Sequence, residues 1–317
     1  MQKYSLRNLQ RLFRAKLSIF FNKQEYVNPK TKKIINEVHK LSENYIKLNK
    51  LNKKKTHKIF SKKVYQMIRK KKFLNFFQNS FIQQMFFVHN RFYLLSYLKE
   101  LRNDKRWIFW KKLLLENNVG NPIRYFLYPK ASGNKIFQTY HLKKYEEYSG
   151  IRIKNFSNVV EFGGGYGNMA VTFCRINSKV KFTIFDTFEV NLLQYYYLKR
   201  LNLNVKINDY KKKINNINLI NSIKILKKKV KPSQKKEKKL LIANWSISET
   251  PLSLRKKIFF LFKEFDYQLI SFQSEFEKID NISFFKKVMN YNIKQNRKVK
   301  ILPIKKMKNH FYLFCKK

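Results

Sequence analysis

The stretch from Val159 to Ala170 reads VVEFGGGYGNMA and holds four of the seven glycines in this 317-residue chain. A short apolar run ending in Glu161 precedes the glycines, and the apolar segment 169–174 that follows is typical of a helix. Glycine permits left-handed backbone and lets a ligand approach the main chain closely. A strand, a glycine turn and a helix in this order present backbone N–H groups and a helix N-terminus to a nucleotide-like ligand. The stretch therefore predicts the first strand and cofactor loop of an α/β domain.

The glycine spacing separates several classes of nucleotide-binding loop. A dinucleotide fingerprint would begin at Gly163 and Gly165 and require a small residue at the position of Asn168, and the G-K-[ST] triplet of a P-loop does not occur in the sequence. The pattern that remains, E-x-G-x-G-x-G from Glu161 to Gly167, resembles the first motif of S-adenosylmethionine-dependent methyltransferases of the Rossmann-like class. The resemblance implies that the loop wraps the methionine part of the cofactor and that Glu161 serves the loop or the amino group. A glycine turn in an unrelated α/β protein is the alternative.

Polar side chains end the next two predicted strands. Asp186 follows the apolar run 180–185 about 20 residues past the glycines, where nucleotide-binding α/β folds place an acid at the tip of the second strand. A carboxylate suits the two ribose hydroxyls because it offers acceptors without donors. Asn208 and Asp209 end a third predicted strand, 205–209, where such folds meet the adenine. That placement is by analogy, and a surface turn is the alternative for both residues.

A fourth predicted strand, 240–243, runs into a polar segment that reads NWSISETP. Open α/β sheets hold their ligands at the carboxyl ends of their strands. Trp245, Ser246 and Ser248 are therefore candidates for substrate contact. Ser248 or Thr250 is also a candidate cap for a helix that starts near Pro251, and capping is compatible with substrate contact.

The chain ahead of these strands predicts a different architecture. Residues 1–118 carry apolar side chains at helical spacing, and a cluster of turn residues at 117–122 marks a boundary. The predicted domains are a helical N-terminal region, 1–118, and an S-adenosylmethionine-binding methyltransferase domain, 119–317. In the latter, a loop and helix precede the first strand, and such segments often fold over the cofactor. Tyr140 and His141 are therefore candidates for lining the site, with a position on a surface helix as the alternative.

The charge balance raises the question of a polyanionic partner. Lys and Arg number 70 against 19 acidic residues, a net charge of +51, which indicates nucleic acid or an anionic membrane surface. Lys, Asn, Ile, Phe and Tyr are enriched throughout, as an A/T-rich genome would produce, and Lys exceeds Arg, so a nucleic-acid partner is not favoured. Residues 3–20 have the pattern of a basic amphipathic helix, which suits peripheral membrane contact or a transit peptide. The first helix of a fold is the favoured interpretation.

Cysteine usage and hydropathy predict the compartment. Cys174 and Cys315 lie far apart, which suits a reduced cytosol and argues against a disulfide scaffold or a zinc site. No apolar run approaches the ~18 residues that span a bilayer. No pair of acids has metal-ligand spacing around the predicted site. The sequence thus predicts a cytoplasmic protein with no transmembrane segment and no metal.

Four segments in order resemble the bacterial sugar O-methyltransferase family: VEFGGGYG at 160–167, FTIFD at 182–186, QYYYL at 194–198 and WSISE at 245–249. The resemblance covers about residues 119–317. It implies a Rossmann-like class I methyltransferase sheet with helices on both faces, preceded here by the helical region. It also implies S-adenosyl-L-methionine as cofactor and methyl transfer to a sugar hydroxyl of a surface polysaccharide or its precursor.

A sugar hydroxyl is a weak nucleophile, so its methylation benefits from a general base. Glu249, at the predicted strand-four tip, is the first candidate, and His141 is the second because a histidine pKa suits the role. His310 is more typical of a core or strand-end residue. The alternative function is an RNA-binding protein or RNA methyltransferase that uses the basic surface. It is weakened because NWSI stands at 244–247, where amino-methylating enzymes carry N/D-P-P-Y/F.

Overall fold

The computed structural model describes residues 27–49, 59–70, 73–86, 91–208, 217–230 and 237–317. The predicted basic helix at 3–20 and the candidate Asp209 lie outside the described residues. The chain divides into two compact units, the first formed by residues up to 143 with 192–203, the second by 144–191 with 204–317.

The first unit is built mainly of helices. Helical spacing of apolar residues buries side chains such as Val38, Val64 and Leu98 completely, which confirms the helical prediction over the described residues. The helices are α1 Pro29–Asn49, α2 Ile59–Arg69, α3 Ser80–Met85, α4 Leu94–Arg102 and α5 Trp107–Leu114, with a 3-10 turn at Phe76–Gln78. Residues 192–203 belong to this unit because Tyr196 stacks on Phe73 with ring centroids 4.6 Å apart.

A short hairpin follows the helices within the first unit. Strands β1 (Arg124–Tyr125) and β2 (Tyr128–Ser132) pair antiparallel and lead directly into α6 (Gly133–Ser149). The hairpin stands where a loop is predicted ahead of the first strand of the sheet. The guanidinium of Arg124 donates to the Pro129 carbonyl at 3.0 Å and ties the two strands together. The predicted boundary at 118/119 falls inside this unit, and it stays a prediction.

The second unit contains a mostly parallel sheet. Its elements are β3 Asn158–Phe162, α7 Asn168–Ile176, β4 Lys181–Phe185, α8 Phe188–Arg200, β5 Val205–Ile207, β6 Ile217–Ile220, α9 Ile223–Val230, β7 Lys239–Asn244, α10 Leu252–Lys257, α11 Phe260–Glu264, β8 Tyr267–Gln273, β9 Glu275–Phe276, β10 Ile279–Asp280, α12 Asn281–Lys294, β11 Lys298–Pro303 and β12 His310–Lys316, with a 3-10 turn at Ile153–Asn155. Helix α8 begins in this unit and continues into the first.

Eight of the described strands form one sheet, in the order β11, β12, β8, β7, β3, β4, β6, β5. Strand β12 runs antiparallel to both of its neighbours, and the other pairings are parallel. The chain enters the sheet at β3 in the middle and continues through β4 to β5 and β6 at one edge. It then returns to β7 on the other side of β3. This reversal is the topological switch point at which open α/β sheets bind ligands. The predicted Rossmann-like sheet is confirmed.

Alternate side chains of the strands cover opposite faces of the sheet. Val160, Leu241 and Ile270 share one core with residues of the helices α9, α11 and α12. On the other face, Phe182 contacts Phe173 of α7 at 5.5 Å between ring centroids. Helices therefore cover both faces, as predicted.

One segment of the sheet differs from the prediction. Residues 211–238 are rich in lysine, and no strand is predicted between the segments 205–209 and 240–243. Instead, Ile217–Ile220 is a fully buried strand that pairs with β4, and α9 follows it. The predicted third strand is present as Val205–Ile207, but it lies one place further out, at the sheet edge. Within the part of the chain that the structure describes, no helix combines the length and apolar character needed to cross a bilayer.

Candidate cofactor site

The glycine loop closes tightly over the switch point between β3 and β7. Gly163 has a φ of +72°, and its N–H donates to the carbonyl of Phe185 at 2.8 Å. A Cβ at this position would overlap the Cβ of Ser246 and lie 2.9 Å from its Oγ. Glycine is required here for two reasons, the left-handed backbone and the close approach of the strand-four tip.

The same loop starts helix α7. Gly165 also has a positive φ, 56°. Gly167 is left-handed with φ 95° and occupies the N-cap position, and its N–H donates to the Gly164 carbonyl at 2.9 Å. The helix begins at Asn168, the position at which a dinucleotide fingerprint would need a small residue. The loop therefore presents a helix N-terminus at the carboxyl end of β3.

Glu161 lies directly beneath this loop. Its side chain is 2% exposed, and its Oε2 has no hydrogen-bond partner among the described residues. A Cβ on Gly164 would lie 3.0 Å from that oxygen, which places the carboxyl against the loop. Burial first, and the charge of Asp186 second, raise the pKa of Glu161 well above its ordinary value.

Asp186 and Asn208 follow the neighbouring strands. The N–H of Asp186 donates to the Ile220 carbonyl at 2.9 Å, and its Oδ1 accepts from the N–H of Thr187 at 2.8 Å. Asn208 is left-handed, with φ 50°, and its amide Nδ2 donates to Oδ1 of Asn221 at 2.8 Å. The Asn208 side chain thus ties the ends of β5 and β6 together, whereas Asp186 stands at the end of β4, beside the glycine loop.

The tip of β7 is an ordered turn. Trp245 is buried with φ 62°, and its indole Nε1 donates to Nδ1 of His310 at 2.7 Å. Ser246 donates to the Phe162 carbonyl and Ser248 to the Trp245 carbonyl. The hydroxyl of Ser246 therefore holds the turn against β3, and the hydroxyl of Ser248 closes the turn internally. Sequence analysis had proposed them for substrate contact, and that role stays a prediction.

The hydrogen bond from Trp245 selects the tautomer of a neutral His310 imidazole. An indole N–H can only donate, so Nδ1 of the neutral imidazole must accept, and the ring proton then lies on Nε2. In this tautomer, Nε2 of His310 is a donor. The arrangement supports a role in orienting Trp245 rather than in proton abstraction.

Arg255 organises the segment that carries Glu249, and sequence analysis missed it. This guanidinium is fully buried, and it donates to the carbonyls of Thr250 at 2.8 Å and Ser248 at 2.7 Å, and to Oδ1 of Asn281 at 2.7 Å. Burial lowers its pKa from the ordinary value. The two carbonyls flank Glu249, a half-buried residue whose N–H donates to the Trp245 carbonyl at 3.1 Å. No sequence pattern distinguishes this one buried arginine from the many exposed lysines of the chain.

Tyr140 and His141 belong to the first unit. Tyr140 stacks on Tyr97 with ring centroids 4.2 Å apart, and its hydroxyl donates to Glu100 at 3.1 Å. His141 is fully buried and packs against Phe137, and burial lowers its pKa to about 3. A histidine with so low a pKa is neutral at pH 7 and a weak base. Their predicted roles as substrate contact and base stay predictions.

Across the described ranges, no group of three or more His, Cys, Asp or Glu side chains is placed to hold a metal ion.

Comparison with known proteins gives matches to solved structures alone, at low sequence identity. No protein-family model and no curated protein matches the sequence. Among solved structures, the chain is similar to the O-methyltransferase NcsB1 from neocarzinostatin biosynthesis, in complex with S-adenosylmethionine and 2-hydroxy-5-methyl naphthoic acid, with 10% identity over 57% of this chain and 57% of that chain and a TM-score of 0.36. It is also similar to the mitomycin 7-O-methyltransferase MmcR, with 10% identity over 80% and 84% of the two chains and a TM-score of 0.35.

A third similar structure is magnesium protoporphyrin IX methyltransferase from Synechocystis PCC 6803 with bound S-adenosylmethionine, at 9% identity over 70% of this chain and 95% of that chain, with a TM-score of 0.36. The match to NcsB1 spans little more than half of that protein. Because these TM-scores are low, the assignment of a Rossmann-like sheet rests on the strand order and register of the chain itself.

Proposed function

We propose that the chain is an S-adenosylmethionine-dependent O-methyltransferase that acts on a sugar hydroxyl, of a surface polysaccharide or its precursor. The observation that carries the proposal is the glycine loop at the β3–β7 switch point, with the buried carboxyl of Glu161 beneath it and Asp186 at the next strand end. In open α/β sheets this is the position of the ligand.

The residues present fit this cofactor. An unpartnered buried carboxyl oxygen on Glu161 suits a positively charged ligand, and the Asp186 carboxylate suits a pair of ribose hydroxyls. The loop 163–167 would hold the methionine part. When bound, S-adenosylmethionine supplies a methyl group on a positively charged sulfur. A dinucleotide or a triphosphate would instead need groups that this loop does not offer.

Glu249 is the proposed general base. Its turn follows β7, one of the two strands at the switch point, and Arg255 holds the carbonyls on both sides of it. The carboxylate of Glu249 would accept the proton of the acceptor hydroxyl as that oxygen gains the methyl group. Trp245, fixed by His310, would present its ring edge to the acceptor. The choice of a sugar rests on the resemblance of segments 160–167 and 245–249 to the sugar O-methyltransferase family.

The test is transfer of an isotopically labelled methyl group from S-adenosylmethionine to nucleotide sugars, to extracted surface polysaccharide and to total RNA. We expect label in a sugar fraction, and we expect Glu249→Gln to lower turnover by about 10²–10⁴-fold while cofactor binding is retained. Glu275→Gln, at an exposed acid of β9, is the matched control and should leave turnover unchanged. Label in RNA alone would contradict the sugar acceptor and favour a nucleic-acid substrate.

A further inference from the structure

The carboxyl of Glu161 has apolar neighbours within its own sheet. Its partners in register are Ile184 on β4 and Ile242 on β7, so no group that titrates stands opposite it on either adjacent strand. The loop above it contributes the main chain of three consecutive glycines and the buried side chain of Tyr166, and the first residues of α7, Asn168 and Met169, are buried and carry no charge. Such surroundings make a carboxylate costly unless a hydrogen bond or a cation compensates its charge.

That compensation is lacking in the described residues. Oε2 of Glu161 has no hydrogen-bond partner, and the charged group that acts on it is Asp186, a second acid, at the end of β4. Two neighbouring carboxyls oppose each other's ionisation. Both influences favour the protonated form of Glu161.

The proposed cofactor brings the charge that the site lacks. Its amino-acid end carries an ammonium group and its sulfur a second positive charge, and the loop that lies against Glu161 is the part of the site proposed for the methionine moiety. A cation placed there lowers the pKa of a neighbouring carboxyl.

We propose that Glu161 carries a proton in the ligand-free protein and releases it to solvent when S-adenosylmethionine binds, so that cofactor binding and ionisation of Glu161 are coupled. The inference rests on the proposed function. The O–H bond of the carboxyl breaks, the proton leaves to buffer, and the resulting carboxylate faces the bound cation. No other bond changes.

The coupling makes cofactor affinity depend on pH in a defined direction. Affinity rises with pH, by at most tenfold per pH unit, between the pKa of Glu161 in the complex and its pKa in the ligand-free protein. Below that window Glu161 is protonated in both states, and above it Glu161 is ionised in both, so affinity is flat on either side.

The experiment is calorimetric titration of the full chain with S-adenosylmethionine at several pH values, each in two buffers of different ionisation enthalpy. The difference in apparent heat between buffers gives the number of protons released. We expect release that approaches one proton inside the window for the wild type and for the control Glu275→Gln. Glu161→Gln, which keeps the shape of the side chain but cannot ionise, should release none and bind with a flat pH profile.

A second variant keeps the test decisive if Glu161→Gln does not fold. Because Asp186 helps to raise the pKa of Glu161, Asp186→Asn should still release the proton, with its window moved to lower pH. Binding by the wild type without proton release at any pH would overturn the coupling and leave the proposed cofactor intact. Absence of binding in all variants would overturn both.

Discussion

Gly163→Ala should lower the free energy of unfolding by about 2–5 kcal/mol, because the added Cβ strains a left-handed backbone and also overlaps a neighbouring side chain. The φ of +72° strains any residue with a Cβ, and that Cβ would overlap Ser246. The loop can relieve the overlap only by moving away from the tip of β7. The substitution should therefore also weaken cofactor binding.

Gly150 provides a matched control for this prediction. It has nearly the same backbone, with φ +71°, but no heavy atom lies within 4 Å of a Cβ built there. Gly150→Ala should cost only the strain, about 1–2 kcal/mol. Chemical denaturation of both variants separates the two contributions. Equal losses would contradict the close approach of Gly163 to Ser246, whereas rescue of Gly163→Ala by Ser246→Gly would support it.

Arg255→Ala should lower the free energy of unfolding by about 3–5 kcal/mol, because it leaves two buried acceptors and one partly buried acceptor without their donor. The buried acceptors are the carbonyl of Ser248 and the side chain of Asn281, and the partly buried one is the carbonyl of Thr250. Without the guanidinium, the turn that carries Glu249 loses its connection to the start of α12.

Lys256, the next residue on α10, is exposed and serves as the control; Lys256→Ala should change stability by no more than about 0.5 kcal/mol. Denaturation gives the size of the loss, and amide hydrogen exchange locates it. The N–H of Glu249, which donates to the Trp245 carbonyl, should exchange faster in Arg255→Ala. A stability close to that of wild type, with unchanged exchange at Glu249, would show that Arg255 does not hold this turn.

Most of the strands on either side of the glycine loop could be located from the sequence because they are short apolar runs bounded by polar residues, and because the glycine loop identifies the first of them. The loop also located Glu161 and Asp186, since both follow from the strand–turn–helix pattern. Strand β6 was missed because its four buried residues lie among lysines and asparagines that indicate solvent. Its burial comes from pairing with β4, a contact that local composition does not record.

The contacts that organise the β7 tip could not be predicted, for a related reason. His310 and Trp245 are 65 positions apart, and Arg255 and Asn281 are 26 apart. They meet only because β12 joins the sheet beside β8 and α12 packs on the same sheet. The sequence predicted polar side chains at this tip, but the structure adds that Ser246 and Ser248 use their hydroxyls to hold backbone.

Titration of the full chain with S-adenosylmethionine, for the wild type and for Asp186→Ala, tests the cofactor assignment most directly. We predict saturable binding to the wild type at one molecule per chain, and affinity about 10–100-fold weaker for Asp186→Ala, the loss expected when hydrogen bonds to a charged acceptor are removed. Glu275→Ala should bind like the wild type. No binding by the folded wild type, or equal affinity for Asp186→Ala, would contradict the assignment of the glycine loop and Asp186 to this cofactor.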